Sequence, residues 1–397
     1  MVDMEKPRCA GFRFSGIAAG IKKKGGKDLG LIVSEVPASV AGVFTRNRIQ
    51  AAPVLLDRHR IRTGRCQAVI VNSGNANCCT GDAGLRDAEA MCRRAAEALG
   101  ISEELVCVAS TGVIGQPMPI ETVLAAVPEL AGALSSEGLD DFAEAIMTTD
   151  LVPKVVTVQG EIDETPYTVT GVAKGSGMIR PDMATMLCFV VTDLSVPPKI
   201  LQESLVAGVD RSFNRITVDG DTSTNDTVLL MAGGRSGATI ETPEALAAFQ
   251  RHLDQVLTGL ARMVVKDGEG ATKLVDISVV GAASEGDARQ VADTVAHSNL
   301  VKTALFGEDA NWGRIIAAAG RSGVPVVPDA IDIRFDDVTM CRNGMSCGPE
   351  AESAATAVLK KNEYRITIDL HMGPASASVL TCDFSIDYVK INADYRS

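Results

Sequence analysis

Basic charge and histidine are both scarce in this sequence. Its 397 residues include 38 Lys and Arg against 50 Asp and Glu, so the net charge is −12, and the basic residues form no dense stripe. Because nucleic acids and anionic membranes are bound mainly through cations, this composition argues against both as partners. The 4 histidines are scattered, and none stands at metal-binding spacing from another His or from a Cys. The sequence therefore predicts neither a His-based metal site nor a catalytic histidine.

Long apolar runs and ordered cysteine pairs are missing as well. No segment approaches the roughly 18 residues of a membrane-spanning helix, and the N-terminus lacks the apolar core of a signal peptide. The 10 cysteines are irregularly spaced and include no Cys-x-x-Cys pair, which favours reduced thiols. We therefore expect a cytoplasmic protein without a metal. The run Lys22-Lys23-Lys24 precedes two glycines and is interpreted as a solvated turn.

What the sequence does contain is typical of a globular mixed α/β protein. The chain is too long for one ordinary core, and its apolar content of 46% is enough to bury sizeable sheets. An apolar strand at 68–72 precedes a helical pattern at 85–99, and a short strand at 106–109 leads into a predicted loop at 110–112. A smaller α/β unit, 285–397, is expected after a boundary near 284.

That C-terminal unit is predicted to contain a helix over 288–305 and a last strand pair that ends at Asn392. Shortly before it, the acidic segment 219–226 superficially resembles a calcium loop. Thr224 replaces the required glycine, however, and Leu230 replaces the bidentate glutamate. No calcium site is therefore predicted.

The stretch 174–187 is the candidate for the chemistry. Residues 169–173 and 187–192 are predicted to be buried strands, with two glycines and a proline between them, so Thr185 stands at the start of a strand. A threonine there can process its own chain, because its Oγ can attack the Ala184 carbonyl and hydrolysis of the ester frees an α-amine as a built-in general base. Such an amine has a pKa of about 7.7–8.0, which burial lowers. A turn that enters a core strand is the alternative interpretation.

Three other residue groups are also open to two interpretations. Thr111 and Gly112 offer a hydroxyl and an amide for an oxyanion hole, or form an ordinary turn after a strand. Lys174 can attract a substrate carboxylate, or be solvated as lone lysines usually are. Glu269 can be a surface charge, or an anion aimed at a substrate ammonium.

Seven further segments carry a family resemblance. They are Gly-Val-Phe-Thr-Arg-Asn at 42–47, Val-Asn-Ser-Gly-Asn-Ala-Asn at 71–77, Ser-Thr-Gly-Val-Ile-Gly at 110–115, Asp-Gly-Asp-Thr-Ser-Thr-Asn-Asp at 219–226, Lys-Asp-Gly-Glu-Gly-Ala-Thr-Lys at 266–273, Asp-Ala-Asn-Trp-Gly-Arg at 309–314 and Ile-Asn-Ala-Asp-Tyr-Arg-Ser at 391–397. Together with the 174–187 stretch, they resemble the ornithine acetyltransferase family, also called the bifunctional glutamate N-acetyltransferase or ArgJ family. The resemblance covers essentially the whole chain.

The resemblance implies a fold and a processing event. The fold would be a DmpA/ArgJ-like layered α/β sandwich with a self-cleaving N-terminal threonine nucleophile and a smaller C-terminal α/β unit. Cleavage between Ala184 and Thr185 would give an alpha chain, 1–184, and a beta chain, 185–397. These chains are expected to associate as a heterotetramer of two alpha and two beta chains.

The resemblance also implies an activity in arginine biosynthesis. Acetyl would pass from N2-acetyl-L-ornithine to L-glutamate through an acetyl-threonine intermediate, with ping-pong kinetics. No cofactor is expected, and use of acetyl-CoA as a further co-substrate stays open. Thr185 is implied as the nucleophile, with Thr111 and Gly112 as the oxyanion hole. The implied substrate contacts are Thr148, Lys174, Thr185, Glu269, Asn392 and Ser397, the last replacing a threonine often found in the family.

Two functions from other classes compete with this one. A self-processing amidohydrolase or aminopeptidase could share the nucleophile geometry, but water would take the acyl group instead of glutamate. A non-catalytic small-molecule binding protein could keep the pocket, but it would neither cleave itself at Ala184–Thr185 nor form an acyl-enzyme.

Overall fold

The structure is a computed structural model that describes residues 8–180 and 186–393. Three residues with predicted roles, Ala184, Thr185 and Ser397, lie outside the described residues. The chain divides into two compact units. The first takes in Met1–Asn214 and Asp221–Val264, and the second takes in Arg215–Gly220 and Val265–Ser397.

The described residues form a mixture of strands and helices, as the apolar patterns predict. The strands are β1 Phe12–Ile17, β2 Leu29–Phe44, β3 Arg65–Asn75, β4 Val106–Val113, β5 Lys154–Ile162, β6 Thr165–Lys174, β7 Leu187–Thr192, β8 Ile216–Thr217, β9 Thr227–Ala232, β10 Leu274–Ala282, β11 Asp332–Phe335, β12 Val338–Arg342, β13 Met345–Ser346, β14 Glu363–Asp369 and β15 Ala375–Cys382. The helices are α1 Ala52–Arg60, α2 Gly81–Leu99, α3 Ile120–Gly132, α4 Leu139–Ala145, α5 Pro198–Arg211, α6 Pro243–Lys266, α7 Glu285–Ala296, α8 Asn299–Phe306, α9 Trp312–Gly320, α10 Pro349–Leu359 and α11 Ile386–Ala393.

The sheet of the first unit has eight strands. Seven of them follow the order β4-β3-β2-β9-β7-β6-β5, and β1 pairs with β2 beside this path. Strand β2 is 16 residues long, so it pairs with β1 through 29–34 and with β9 through 39–44. The β3–β4 and β7–β9 pairs are parallel, and the other pairs are antiparallel.

Both faces of this sheet are buried. Leu29 and Leu31 of β2 pack in one apolar cluster with residues of α2 and α3. Ile32 lies in a second cluster with Phe142 of α4 and Phe189 of β7. Because successive side chains of a strand point to opposite faces, the two clusters lie on opposite sides of the sheet. Burial on both sides explains why β7 and β9 are continuous apolar runs without polar alternation.

The second unit contains its own sheet, in the order β13-β12-β11-β14-β10-β15-β8. Strand β10 lies between β14 and β15, parallel to the first and antiparallel to the second. Val275, Ile277 and Val279 of β10 pack with Val291 and Val295 of α7 in the core. The chain is thus a mixed α/β protein with two sheets, as the sequence predicts.

Three expectations about the second unit differ from the structure. The main segment of the unit begins at Val265 rather than near 284, because β10 is an inner strand of its sheet, between β14 and β15. The helix expected over 288–305 is divided into α7 and α8, since the Ser298 hydroxyl accepts a hydrogen bond from Val301 N and starts a new helix. Asn392 lies on helix α11, not at the end of a strand.

None of the helices within residues 8–180 and 186–393 combines the length and apolar composition needed to cross a membrane.

Candidate active site

Thr111 and Gly112 lie at the end of strand β4, not in the loop that the sequence predicts. The strand continues to Val113 because it pairs with β3, with Ser73 opposite Thr111 and Gly74 opposite Gly112. Gly112 has φ +136°, and a Cβ on it would lie 2.3 Å from the Gly74 carbonyl carbon. Only glycine is therefore accommodated here, and its backbone stays uncovered by a side chain.

Lys174, the last residue of β6, joins two other predicted site residues. Its Nζ donates to Thr148 Oγ1 at 2.8 Å and to Thr111 Oγ1 at 3.3 Å. An ammonium group can only donate, so both threonine oxygens act as acceptors in these bonds. The hydroxyl proton of Thr111 consequently points away from Lys174 and is available to a further acceptor. Three of the residues implied by the resemblance thus lie together in the first unit.

A carboxylate that the sequence analysis missed lies beneath this group. The Asp150 side chain is fully buried and accepts hydrogen bonds from Lys154 Nζ at 2.7 Å, Gly175 N at 2.7 Å and Thr148 N at 3.0 Å. Lys174 Nζ lies 4.0 Å away from it. Burial by itself would raise the pKa of Asp150, but the charges of Lys174 and Lys154 and these hydrogen bonds hold it below its usual range. Asp150 is therefore an ionised anchor for both lysines.

Asp226 is a second buried carboxyl in the first unit, and its pKa is shifted in the opposite direction. It directly precedes β9 and lies beside Met186, whose carbonyl accepts a hydrogen bond from Thr227 N at 3.1 Å. Among residues 8–180 and 186–393, neither of its carboxylate oxygens has a hydrogen-bond partner with acceptable geometry. Burial raises the pKa of Asp226 well above its ordinary value, although the nearby Met186 amide, Thr45 hydroxyl and Lys174 charge act in the opposite direction. Burial therefore favours the neutral form of Asp226 over the charged form.

Lys22 departs from the solvated turn that its sequence context predicts. The neighbouring Lys23 and Lys24 are exposed, but Lys22 is half-buried. The buried Asp28 carboxylate binds the Ile21 and Lys22 backbone N–H groups at 2.6 and 2.9 Å, which holds this loop against the sheet. The prediction is correct for two of the three lysines and wrong for Lys22.

In the second unit, two predicted substrate contacts lie together. Asn392 Nδ2 on α11 donates to Glu269 Oε2 at 2.9 Å and to Tyr388 O at 3.0 Å. Glu269 is buried although it belongs to a Gly-rich segment that usually lies at the surface. The burial of Glu269 and its contact with Asn392 contradict the alternative interpretation of Glu269 as a surface charge.

Within the part of the chain that the structure describes, no group of three or more His, Cys, Asp or Glu side chains is arranged to hold a metal ion. The roles of Ala184, Thr185 and Ser397 stay predictions, because these residues lie outside the described ranges.

Known proteins with similar sequences cover the whole chain. The arginine biosynthesis bifunctional protein ArgJ of Geobacter sulfurreducens is 53% identical over 98% of this chain and 99% of its own length. The protein of the same name from Syntrophotalea carbinolica is 54% identical over 98% and 99%, respectively. A solved ornithine acetyltransferase from Mycobacterium tuberculosis, in complex with ornithine, is 44% identical over 45% of this chain and 93% of that chain, with a TM-score of 0.42.

These similarities identify an enzyme of arginine biosynthesis. The ArgJ family model matches residues 13–397. The chain belongs to the ArgJ family.

Proposed function

We propose that this enzyme transfers acetyl from N2-acetyl-L-ornithine to L-glutamate, giving ornithine and N-acetylglutamate. The observation that carries the proposal is the contact of Lys174 Nζ with the Thr111 hydroxyl, next to Gly112, a position that only glycine fits. A hydroxyl oriented by a cation and a neighbouring backbone amide form a donor pair for a developing oxyanion. The names of the relatives and their coverage support the same activity.

In the first half-reaction, Thr185 is the nucleophile. Its α-amine takes the Oγ proton while Oγ attacks the acetyl carbonyl carbon, and Thr111 and Gly112 stabilise the oxyanion that forms. The bond between the carbonyl carbon and the ornithine nitrogen then breaks, and that nitrogen receives the proton held by the α-amine. Ornithine leaves, and an acetyl ester of Thr185 remains.

In the second half-reaction, the amine of glutamate attacks this ester. The C–O bond to Thr185 breaks, Oγ regains a proton, and N-acetylglutamate leaves. Because one acyl-enzyme connects both halves, the kinetics are ping-pong. The roles of Thr148 and Lys174 as substrate contacts, and of Glu269, Asn392 and Ser397, belong to this proposal. No cofactor takes part, and the use of acetyl-CoA as a second acetyl donor stays open.

Self-cleavage between Ala184 and Thr185 also belongs to the proposal, because the α-amine exists only after it. The alpha chain, 1–184, and the beta chain, 185–397, then associate as a heterotetramer of two of each. In this way the cleavage produces both the catalytic base and the two-chain protein.

The experiment compares wild type with Thr185→Ala and Thr185→Ser. Wild type should migrate as two fragments, with the second beginning at Thr185 by N-terminal sequencing. Thr185→Ala should give one uncut chain without transferase activity, and Thr185→Ser, which keeps a hydroxyl, should retain cleavage. A second fragment that begins at another residue would contradict the assignment of the nucleophile.

The acceptor separates this function from its rivals. Purified enzyme given N-acetylornithine should form an acetyl-enzyme, detected as a mass increase of the fragment that begins at Thr185, and glutamate should discharge it. Discharge by water as fast as by glutamate would indicate an amidohydrolase, and the absence of any acetyl-enzyme would indicate a binding protein. Acetyl-CoA as donor, tested in parallel, decides whether the enzyme is bifunctional.

A further inference from the structure

The loop that carries Lys22 is built against the sheet end that holds the predicted oxyanion hole. The Asp28 carboxylate binds three backbone N–H groups of this loop, those of Ala19, Ile21 and Lys22, at 2.6 to 2.9 Å. Such multiple bonds to one buried carboxylate fix the loop in a single conformation. The position of Lys22 is therefore set by the fold and not by solvent.

Lys22 packs against Gly74, which pairs with Gly112 of the predicted oxyanion hole. A Cβ on Gly74 would lie 3.2 Å from Lys22 Cγ, so the aliphatic part of Lys22 packs over Gly74. Gly74 is the register partner of Gly112, and Thr111 beside it contacts Lys174. Lys22 and Lys174 thus approach the same end of the β3–β4 pair.

The ammonium group of Lys22 is only partly used. Its Nζ donates to Lys27 O at 2.6 Å, and within residues 8–180 and 186–393 no carboxylate oxygen lies within 4.0 Å of it. An ammonium group has three protons to donate, so Lys22 has capacity for a further acceptor. Burial lowers the pKa of Lys22, and so does the charge of Lys174, while Asp28, Asp150 and Glu144 act in the opposite direction.

Lys174 has different hydrogen-bond partners from Lys22. Its Nζ already donates to the hydroxyls of Thr148 and Thr111, and Asp150 lies 4.0 Å away. A second cation close to these groups, without a carboxylate partner of its own, is suited to bind an anionic ligand.

We propose that Lys22 binds the side-chain carboxylate of the acetyl acceptor and so selects glutamate in the second half-reaction. The proposal rests on the function proposed above. N-acetylornithine carries one carboxylate and glutamate carries two, so a second carboxylate-binding cation serves the acceptor and not the donor. Lys22 is in this sense a specificity residue, and it takes no part in bond making.

The test measures each half-reaction separately in wild type, Lys22→Met and the matched control Lys23→Met, which replaces an exposed neighbour. For Lys22→Met, we expect the KM for glutamate in discharging the acetyl-enzyme to rise about ten- to a hundredfold, the range of a lost charged hydrogen bond. Acetylation by N-acetylornithine should change far less. Lys22→Arg should restore most of the loss.

The preference for glutamate over glutamine as acceptor is a quantity that a structural defect would not change. Wild type should prefer glutamate over glutamine strongly, and Lys22→Met should reduce that ratio by a similar ten- to a hundredfold. An unchanged ratio, or equal losses in both half-reactions, would overturn the proposal.

Failure of the proposed function is recognised independently. If N-acetylornithine does not acetylate wild type, the transferase assignment fails, and calorimetric binding of glutamate and glutamine to wild type and Lys22→Met still tests the subsite. Equal binding of the two ligands by wild type would then reject the role of Lys22.

Discussion

Two buried aspartates of the first unit, Asp150 and Asp226, have opposite proton affinities. Asp150 accepts three hydrogen bonds, one of them from Lys154, and its pKa is held below the usual range. Asp226 is just as inaccessible, but its oxygens have no hydrogen-bond partner in the described part of the chain, and burial raises its pKa. Burial by itself therefore does not decide the charge of a carboxyl group. The number of cations and N–H donors that face it does.

The difference assigns different tasks to the two residues. Asp150 is a fixed negative charge that keeps Lys154 and Lys174 in place beneath the threonine hydroxyls. Asp226 is a carboxyl group with a raised pKa beside Met186, the residue that follows the predicted nucleophile in the chain. Environments that separate the pKa values of two like groups are a common feature of enzyme sites.

The largest effect is expected when the charge of Asp150 is removed. Asp150→Asn leaves two buried ammonium groups without their counterion, so the free energy of unfolding should fall by about 3–5 kcal/mol. Asp226→Asn replaces a carboxyl group whose charged form burial disfavours by a neutral amide, so it should cost far less or stabilise. Urea unfolding of both variants, in a Thr185→Ala background that keeps the chain in one piece, measures this. Equal losses would show that Asp226 is also ionised.

A second test asks whether the Asp150 region acts in catalysis as well as in stability. Thr111→Ala removes the hydroxyl that Lys174 orients, so kcat should fall by roughly 10²–10³, or about 2.7–4 kcal/mol of barrier. The fold should be little affected. The control is Thr157→Ala on β5, whose hydroxyl contacts Thr170 at 3.1 Å. A kcat for Thr111→Ala within a few-fold of the control would reject the oxyanion-hole role.

The smallest test uses pH. The folded pKa of Asp226 is raised, so its stabilising contribution is fully present below the unfolded value of about 3.9 and is lost as pH rises towards the folded pKa. Asp226→Asn should remove this loss, so the stability of the variant relative to wild type should improve from about pH 4 upward. The pKa of Asp150 is depressed. Its contribution to the stability of the protein should therefore be present above the unfolded pKa and be lost as pH falls through the folded pKa. A pH series of unfolding curves measures both slopes, and a flat difference for Asp226→Asn would contradict its raised pKa.

Much of the fold is predictable from the apolar pattern. The helical pattern at 85–99 is α2, and the predicted strands at 169–173 and 187–192 are parts of β6 and β7. These segments are long or continuously apolar, so their pattern reflects burial directly. Segments decided by a single polar contact were predicted wrongly. In α11, the Ser385 hydroxyl accepts a hydrogen bond from Tyr388 N and so favours a helix where a strand was expected.

The candidate site residues also fall into two groups, those that the sequence identifies and those that it does not. Thr148 and Lys174 could be named from the family resemblance, and the structure brings them together with Thr111. Asp150 was missed because its importance depends on Lys174, which is distant in sequence. Lys22 was missed for a similar reason. Its burial depends on Asp28 and Gly74, and three consecutive lysines give no local sign that only the first of them is held.

The strand order of the first sheet has a consequence for how the protein reaches its folded state. Strands β9 and β7 lie between β2 and β6. After cleavage at Thr185, these two inner strands would belong to one polypeptide and their neighbours on both sides to another. Unfolding would then release two separate molecules, and refolding would become second order in protein concentration, without the high effective concentration that an intact chain provides. The cut enzyme would therefore last only as long as its rate of unfolding allows.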